Sequence, residues 1–221
     1  MLPMQIRCRA LLFDMDGVLV DSTPAVARVW TTWAKRFGLN PAEVVRQAHG
    51  RPSIATIREL LPSADHGAEN QIIERAEIED IEDVIALPGT IELLSALPVD
   101  RFAVVTSASR ALAVVRLRAA GFAIPKHIVT SSDIQHGKPD PEPYLRGAQV
   151  LGLSPADCIV IEDAPAGILS GKAAGSRVIA LHTTTPDSAL RAAGADWIVT
   201  DCSEISLQPI NANEDLVLEL P

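Results

Sequence analysis

Six short aliphatic runs, rich in β-branched residues, recur along the chain with helix-like segments between them: ALLF (10–13), FAVVT (102–106), HIVT (127–130), CIVI (158–161), RVIAL (177–181) and DWIV (196–199). Near-continuous apolar runs of this length suit strands buried on both faces of a parallel sheet, and parallel strands need crossover helices between them. Three of the intervening segments end alike, at Ala119-Ala120-Gly121, Ala173-Ala174-Gly175 and Ala192-Ala193-Gly194. A glycine there supplies the left-handed residue that closes a helix, and alanines permit close packing on the sheet. The pattern predicts a doubly wound, Rossmann-like α/β fold.

One interval breaks the rhythm. After ALLF no comparable strand comes until 102–106, although 88–97 (PGTIELLSAL) reads as an ordinary crossover helix. The stretch between reads as wholly helical: TPAVARVWTTWAKRFG, PAEVVRQAHG, SIATIRELLP and GAENQIIERAEIEDIEDVIA, with Ser22 or Thr23 as the first N-cap. We therefore expect an α/β core from 1–21 and 87–221, with residues 22–86 inserted as a helical cap. An insertion directly after the first strand lies over the carboxyl ends of the strands, where open α/β sheets bind ligands.

Composition narrows the partners. The 221 residues are 48% hydrophobic and 21% charged, enough for a sizeable core without cross-links. With 19 basic residues against 28 acidic, the formal net charge is −9, and no basic run offsets it. This speaks against nucleic-acid and anionic-membrane partners but leaves room for a small anionic molecule. Cys8, Cys158 and Cys202 form no CxxC pair, which argues against a disulfide framework or structural zinc and fits a reducing compartment. No apolar run reaches membrane-spanning length, and MLPMQIRCRALLFDMDG lacks a small-residue cleavage site, so a cytoplasmic protein, monomeric by default, is the expectation.

Four strand ends carry reactive groups. Asp14 and Asp16 follow ALLF, with Gly17 allowing a tight turn. Thr106-Ser107-Ala108-Ser109 follows FAVV and precedes a helix, which suits an anion. Lys138 lies between Gly137 and Pro139, downstream of HIVT. Glu162 and Asp163 follow CIVI. Each alone has a plain reading as a turn, a cap or a solvated charge. Together they supply carboxylates, hydroxyls and one fixed cation at a single sheet edge, the set that phosphoryl transfer through a covalent aspartyl group requires.

The order D14-x-D16-G, T106-S107, G-K138-P-D-P and E162-D163 resembles the haloacid dehalogenase superfamily of Mg-dependent phosphatases. TPAV (23–26), HG (49–50), TSASR (106–110), GKPDPEPYLRGA (137–148) and EDAPAGILSGKAAG (162–175) look most like its glycerol-3-phosphatase and 2-deoxyglucose-6-phosphatase group. The resemblance implies a small phosphorylated substrate, a polyol or sugar phosphate. Asp14 would be the nucleophile and Asp16 the general acid and base. Lys138 would neutralise Asp14 and phosphate, and Thr106 and Ser107 would bind phosphate oxygens. Mg²⁺ would be held by Asp14, the Asp16 carbonyl and Asp163, with Glu162 as a ligand directly or through water.

In the cap, His49, Gly50 and Arg51 are expected substrate contacts, with Trp30 either a contact or cap core. Asp133 either orients Lys138 or belongs to a surface turn. A β-phosphoglucomutase-type mutase is the alternative, but that family carries a His after the DxD motif and a late cap lysine. Here Val26 stands near the expected His, and 76–100 contains no Lys or Arg. A cap-lysine phosphonate hydrolase has only Lys35 to offer, dehalogenation has no use for Asp16, and a non-catalytic phosphate-binding module would tolerate gaps in a motif set that has none.

Overall fold

The computed structural model, which describes residues 4–48, 50–208 and 215–221, turns all six aliphatic runs into strands of one parallel sheet. The strands of the chain are β1 (Met4–Cys8), β2 (Ala10–Phe13), β3 (Val20–Asp21), β4 (Ile85–Ala86), β5 (Phe102–Val105), β6 (Ile128–Val129), β7 (Cys158–Glu162), β8 (Arg177–Leu181), β9 (Trp197–Val199), β10 (Ser206–Leu207) and β11 (Leu216–Leu220). The helices are α1 (Thr23–Arg36), α2 (Pro41–Ala48), α3 (Ser53–Leu60), α4 (His66–Glu79), α5 (Thr90–Ala96), α6 (Arg110–Ala119), α7 (Glu142–Val150), α8 (Pro165–Ala173) and α9 (Asp187–Ala192). The sheet order is β6-β5-β2-β7-β8-β9, every pair parallel, so the fold is doubly wound α/β as the pattern predicts.

Side-chain alternation divides the core. Leu11 and Phe13 of β2 pack with Leu93 of α5 and Leu117 of α6, whereas Ala10 and Leu12 pack with Tyr144 of α7, Ile168 of α8 and Leu190 of α9. Each fully buried leucine-sized side chain contributes roughly 1.5–3 kcal/mol. Helices α6, α8 and α9 all stop at the Ala-Ala-Gly punctuation.

The tail at 211–221 has no assigned role in the sequence, beyond being mobile or an edge segment. Residues 211–214 lie outside the described residues, and 216–220 form the central strand of a small antiparallel sheet, β1-β11-β10. Leu216, Leu218 and Leu220 alternate inward onto the α5–α6 side of the core.

Helices α1–α4 have a core of their own, built on Trp30, Trp33, Val44, Ile57 and Ile73. The chain enters and leaves this cap through an antiparallel neck, β3 against β4, with Val20 opposite Ala86 and Asp21 opposite Ile85. The expectation of a wholly helical 22–86 fails at its end. Helix α4 stops at Glu79, because Arg28 of α1 draws Asp80 and Asp83 into hydrogen bonds of 2.7–3.2 Å, and Asp83 turns left-handed with φ 61°. Ser22 does occupy the N-cap position of α1, but its hydroxyl makes no capping bond and points elsewhere.

Candidate active site

The strand order decides which residues can meet. Because β6, β5, β2 and β7 are neighbours, the segments leaving their carboxyl ends bring Lys138, Thr106, Asp14 and Glu162 to one place. The ladders run on past the strands: the Asp14 amide donates to the Ile161 carbonyl at 3.0 Å, and the Thr106 amide to that of Val129 at 2.9 Å.

Lys138 is 5% exposed. Its ammonium meets Asp14 Oδ1 at 2.8 Å and donates to Glu162 Oε1 at 2.7 Å and the Val105 carbonyl at 3.2 Å. Glu162 is saturated by the protein: Oε1 also accepts from the Tyr144 hydroxyl at 2.9 Å, and Oε2 from the amides of Asp163 and Ala164 at 2.9 and 3.0 Å. Gly167 in α8 lies directly against that carboxylate, where any Cβ would overlap it. Burial pushes the Asp14 carboxyl well above its usual range, with Lys138 pulling against that and the charges of Glu162 and Asp163 adding to it. Burial acts on Glu162 in the same sense, but Lys138 and the hydrogen bonds it accepts outweigh this and hold it below the ordinary glutamate value.

Asp16 is held on both oxygens. The Ser22 hydroxyl donates to Oδ1 at 2.6 Å and Arg116 Nη1 to Oδ2 at 3.0 Å. Gly17, at φ +80°, lets the turn pass against Asp163, whose carboxylate a Cβ would strike. The loop after β8 closes this side, with Thr184 Oγ1 donating to Asp163 Oδ2 and Thr183 Oγ1 to the Gly17 carbonyl at 2.5 Å.

Asp14, Glu162 and Asp163 each offer an oxygen within 4.8 Å of the others, all three residues buried. Three carboxylates with one lysine among them leave local negative charge that a hard divalent cation would offset. Oxygen-only donors fit Mg²⁺ rather than zinc. Thr106 is 3% exposed and its Oγ1 accepts from the Ala108 amide at 3.1 Å, which turns the loop toward the cavity that Ser107 also lines.

That cavity, of about 1010 Å³, lies between the strand ends and the cap. Gly50 and Arg51 line it, with the Arg51 guanidinium 2.9 Å from Glu59. His49 lies outside the described residues. Trp30 is 2% exposed within the cap core and also borders the cavity. Asp133 accepts from Thr130 and Arg110 instead of Lys138, as a surface turn would have it.

Tyr144, Ser22, Thr184 and Arg116 carry no site role on the sequence alone. Tyr144 lies within the GKPDPEPY motif, and Arg116 has a signal of its own, a charge falling into the buried Leu112-Ala113-Leu117 stripe of α6. Ser22 reads as a helix cap in the sequence, and nothing in the pattern marks Thr184.

A model of haloacid dehalogenase-like hydrolases matches residues 8–175. The chain belongs to that family. It is 42% identical to hexitol phosphatase A of Escherichia coli (strain K12), over 97% of this chain and 100% of the other. Glycerol-1-phosphate phosphohydrolase 2 of Saccharomyces cerevisiae is 35% identical over 97% and 91%, and that organism's 2-deoxyglucose-6-phosphate phosphatase 1 is 32% identical over 91% of each chain. A hydrolase structure from Pseudomonas syringae superposes with a TM-score of 0.80 at 26% identity, covering 89% of this chain and 94% of that one. Membership at this closeness makes the chain an enzyme, a phosphoric monoester hydrolase. No helix among the described residues is long and apolar enough to cross a membrane.

Proposed function

We propose that this hydrolase cleaves phosphate monoesters of small polyols or sugars by way of an aspartyl phosphate on Asp14. The observation that carries the reading is Lys138, a buried cation bonded at once to Asp14 and to Glu162 where the strands end. An Asp14 oxygen bonds to phosphorus as the ester oxygen–phosphorus bond breaks, and Asp16 gives its proton to the departing alkoxide. Asp16 then takes a proton from water, whose oxygen bonds to phosphorus as the Asp14–phosphorus linkage breaks, and inorganic phosphate leaves.

Nucleophilic attack needs an ionised Asp14; burial opposes this, and Lys138 pulls against burial. Thr106 and Ser107 bind phosphate oxygens. Mg²⁺ held by Asp14, Asp163 and the Asp16 carbonyl would shield the attacking carboxylate from the phosphate charge. Glu162, with its oxygens taken by protein donors, holds Lys138 in place and reaches an ion through water at most.

Residues 22–86 act as the cap that chooses the alcohol. Gln47, Ser53, Asn70 and Glu74 line the cap side of the cavity, and such groups suit a chain of hydroxyls. The names of the relatives, which specify hexitol, glycerol phosphate and deoxyglucose phosphate, support the same class. Buried, unpaired cysteines accord with a reducing cytoplasm. The test is phosphate release from glycerol, hexitol, hexose and 2-deoxyhexose phosphates with Mg²⁺. Asp14→Asn should lower turnover by about 10⁴-fold or more, and excess EDTA should abolish it. Turnover surviving either change refutes the mechanism, and isomerised sugar phosphate without free phosphate would reveal a mutase.

A further inference from the structure

Arg116 is 4% exposed, on a helix face that otherwise buries Leu112, Ala113 and Leu117. A buried guanidinium is costly unless paired, and this one is paired from two sides. Nη1 donates to Asp16 Oδ2 at 3.0 Å, on the sheet side. Nη2 lies 3.6 Å from Oε1 of Glu77, in the last turn of the cap helix α4, and that oxygen accepts from Trp30 Nε1 at 3.2 Å. Glu77 is itself buried.

The two contacts differ in kind. The one to Asp16 is a formed hydrogen bond, whereas Arg116 Nε and Nη2 are buried without a hydrogen-bond partner. Buried donors left unmet are costly, so the cap-side contact is poised to tighten. Ser22, just past the neck strand β3, holds the other oxygen of Asp16. Both oxygens of this carboxylate thus answer to groups tied to the cap, one through the neck and one through the Arg116–Glu77 pair.

We propose that Arg116 is a positioning residue that aims the Asp16 carboxylate, and that its contact with Glu77 makes this aim depend on the cap being seated. The inference rests on the role assigned to Asp16 in phosphatase turnover. Arg116 need touch neither phosphate nor alcohol. It fixes where the proton of Asp16 is delivered and where its water is met, a step in which misplacement by an ångström is felt strongly in rate.

The experiment is phosphate release from glycerol and hexitol phosphates with Mg²⁺, measured for the wild type, Arg116→Ala, Glu77→Gln and the double variant. Arg116→Ala should lower kcat by about 10–100-fold with KM within about threefold. Guanidinium added below denaturing concentration should restore several-fold of that kcat, and Glu77→Gln should lower kcat in the wild type but not further in Arg116→Ala. A folded Arg116→Ala with kcat within about twofold of wild type overturns the proposal, as does a loss that guanidinium leaves unmoved and Glu77→Gln compounds. Should Arg116→Ala not fold, Arg116→Met/Glu77→Gln removes both buried charges together. There, lost kcat with KM retained supports the proposal, and wild-type kcat overturns it. A wild-type protein that releases no phosphate refutes the phosphatase reading instead, while an active wild type with an unimpaired Arg116→Ala refutes this inference alone.

Discussion

Lys138, buried beside Asp14 at the strand ends, and Arg51, on the cap side of the cavity, are cations of one site, yet they are held in opposite ways. The Lys138 side chain is 2% exposed and bonded to two buried carboxylates and a carbonyl. The Arg51 side chain is 33% exposed, and its partner Glu59 is 56% exposed. Such surface pairs contribute about 0–1 kcal/mol, whereas breaking a buried pair costs about 3–5 kcal/mol. A charge on the sheet wall cannot change without unbalancing its neighbours, and the chemistry proposed for it is common to every phosphate ester. On the cap wall an exposed side chain such as Arg51 can be exchanged at small cost, which would suit the role proposed for the cap in distinguishing one alcohol from another.

The largest effect should follow from Lys138→Met. It leaves Asp14, Glu162 and Asp163 without their cation, so stability should fall by about 3–5 kcal/mol and kcat by about 10³-fold or more. Urea unfolding and phosphate release measure the two. A variant less than about 1 kcal/mol destabilised would mean that the sheet wall is no more tightly bound than a surface pair, and the contrast with Arg51 would fail.

Trp30→Ala comes next. It empties the centre of the cap core and removes the hydrogen bond to Glu77, for a loss of about 3–5 kcal/mol, much of it confined to the cap. Thiol protection in the sheet core should outlast that loss. Arg51→Ala should cost under about 1 kcal/mol and leave kcat near wild type, while raising KM for the preferred ester several-fold. An Arg51→Ala defect in kcat with KM unchanged would place chemistry on the cap wall, where the comparison says it is not.

Legibility in the sequence divided along the same line. Strands β2, β5, β7 and β8 were readable because burial on both faces forces unbroken aliphatic runs, and the residues leaving them were therefore placed with the sheet. Segments that bury one face or none were less visible: β11 keeps Val217 and Glu219 half-exposed between buried leucines, and the neck strands β3 and β4 have two residues each. Tertiary partners also redirected groups that local rules assign elsewhere. Ser22 reads as a helix cap but donates to Asp16, and the acidic run at 79–83 reads as helix but is turned by Arg28. Sequence spacing carries no record of a partner a hundred residues away, and the Asp16–Arg116 contact spans that distance.

The two regions carry separate native reporters. Cys8, Cys158 and Cys202 all belong to the sheet core, and Trp30 and Trp33 to the cap, leaving only Trp197 on the sheet. Burial pushes all three thiols from an ordinary value of 9.0 up to about 12. Raised values stabilise the fold fully below pH 9, and that contribution is lost as pH climbs from there toward 12, because the unfolded chain releases thiol protons that the folded one keeps. The urea midpoint should therefore fall as pH rises above about 9. At pH 8 the thiols should resist labelling until the core itself opens. With rising urea at that pH, tryptophan fluorescence should change over a range in which labelling has not begun. Coincident transitions would mean that cap and sheet open as one cooperative body, and the freedom ascribed to the cap wall would then have to lie in single side chains rather than in the domain that carries them.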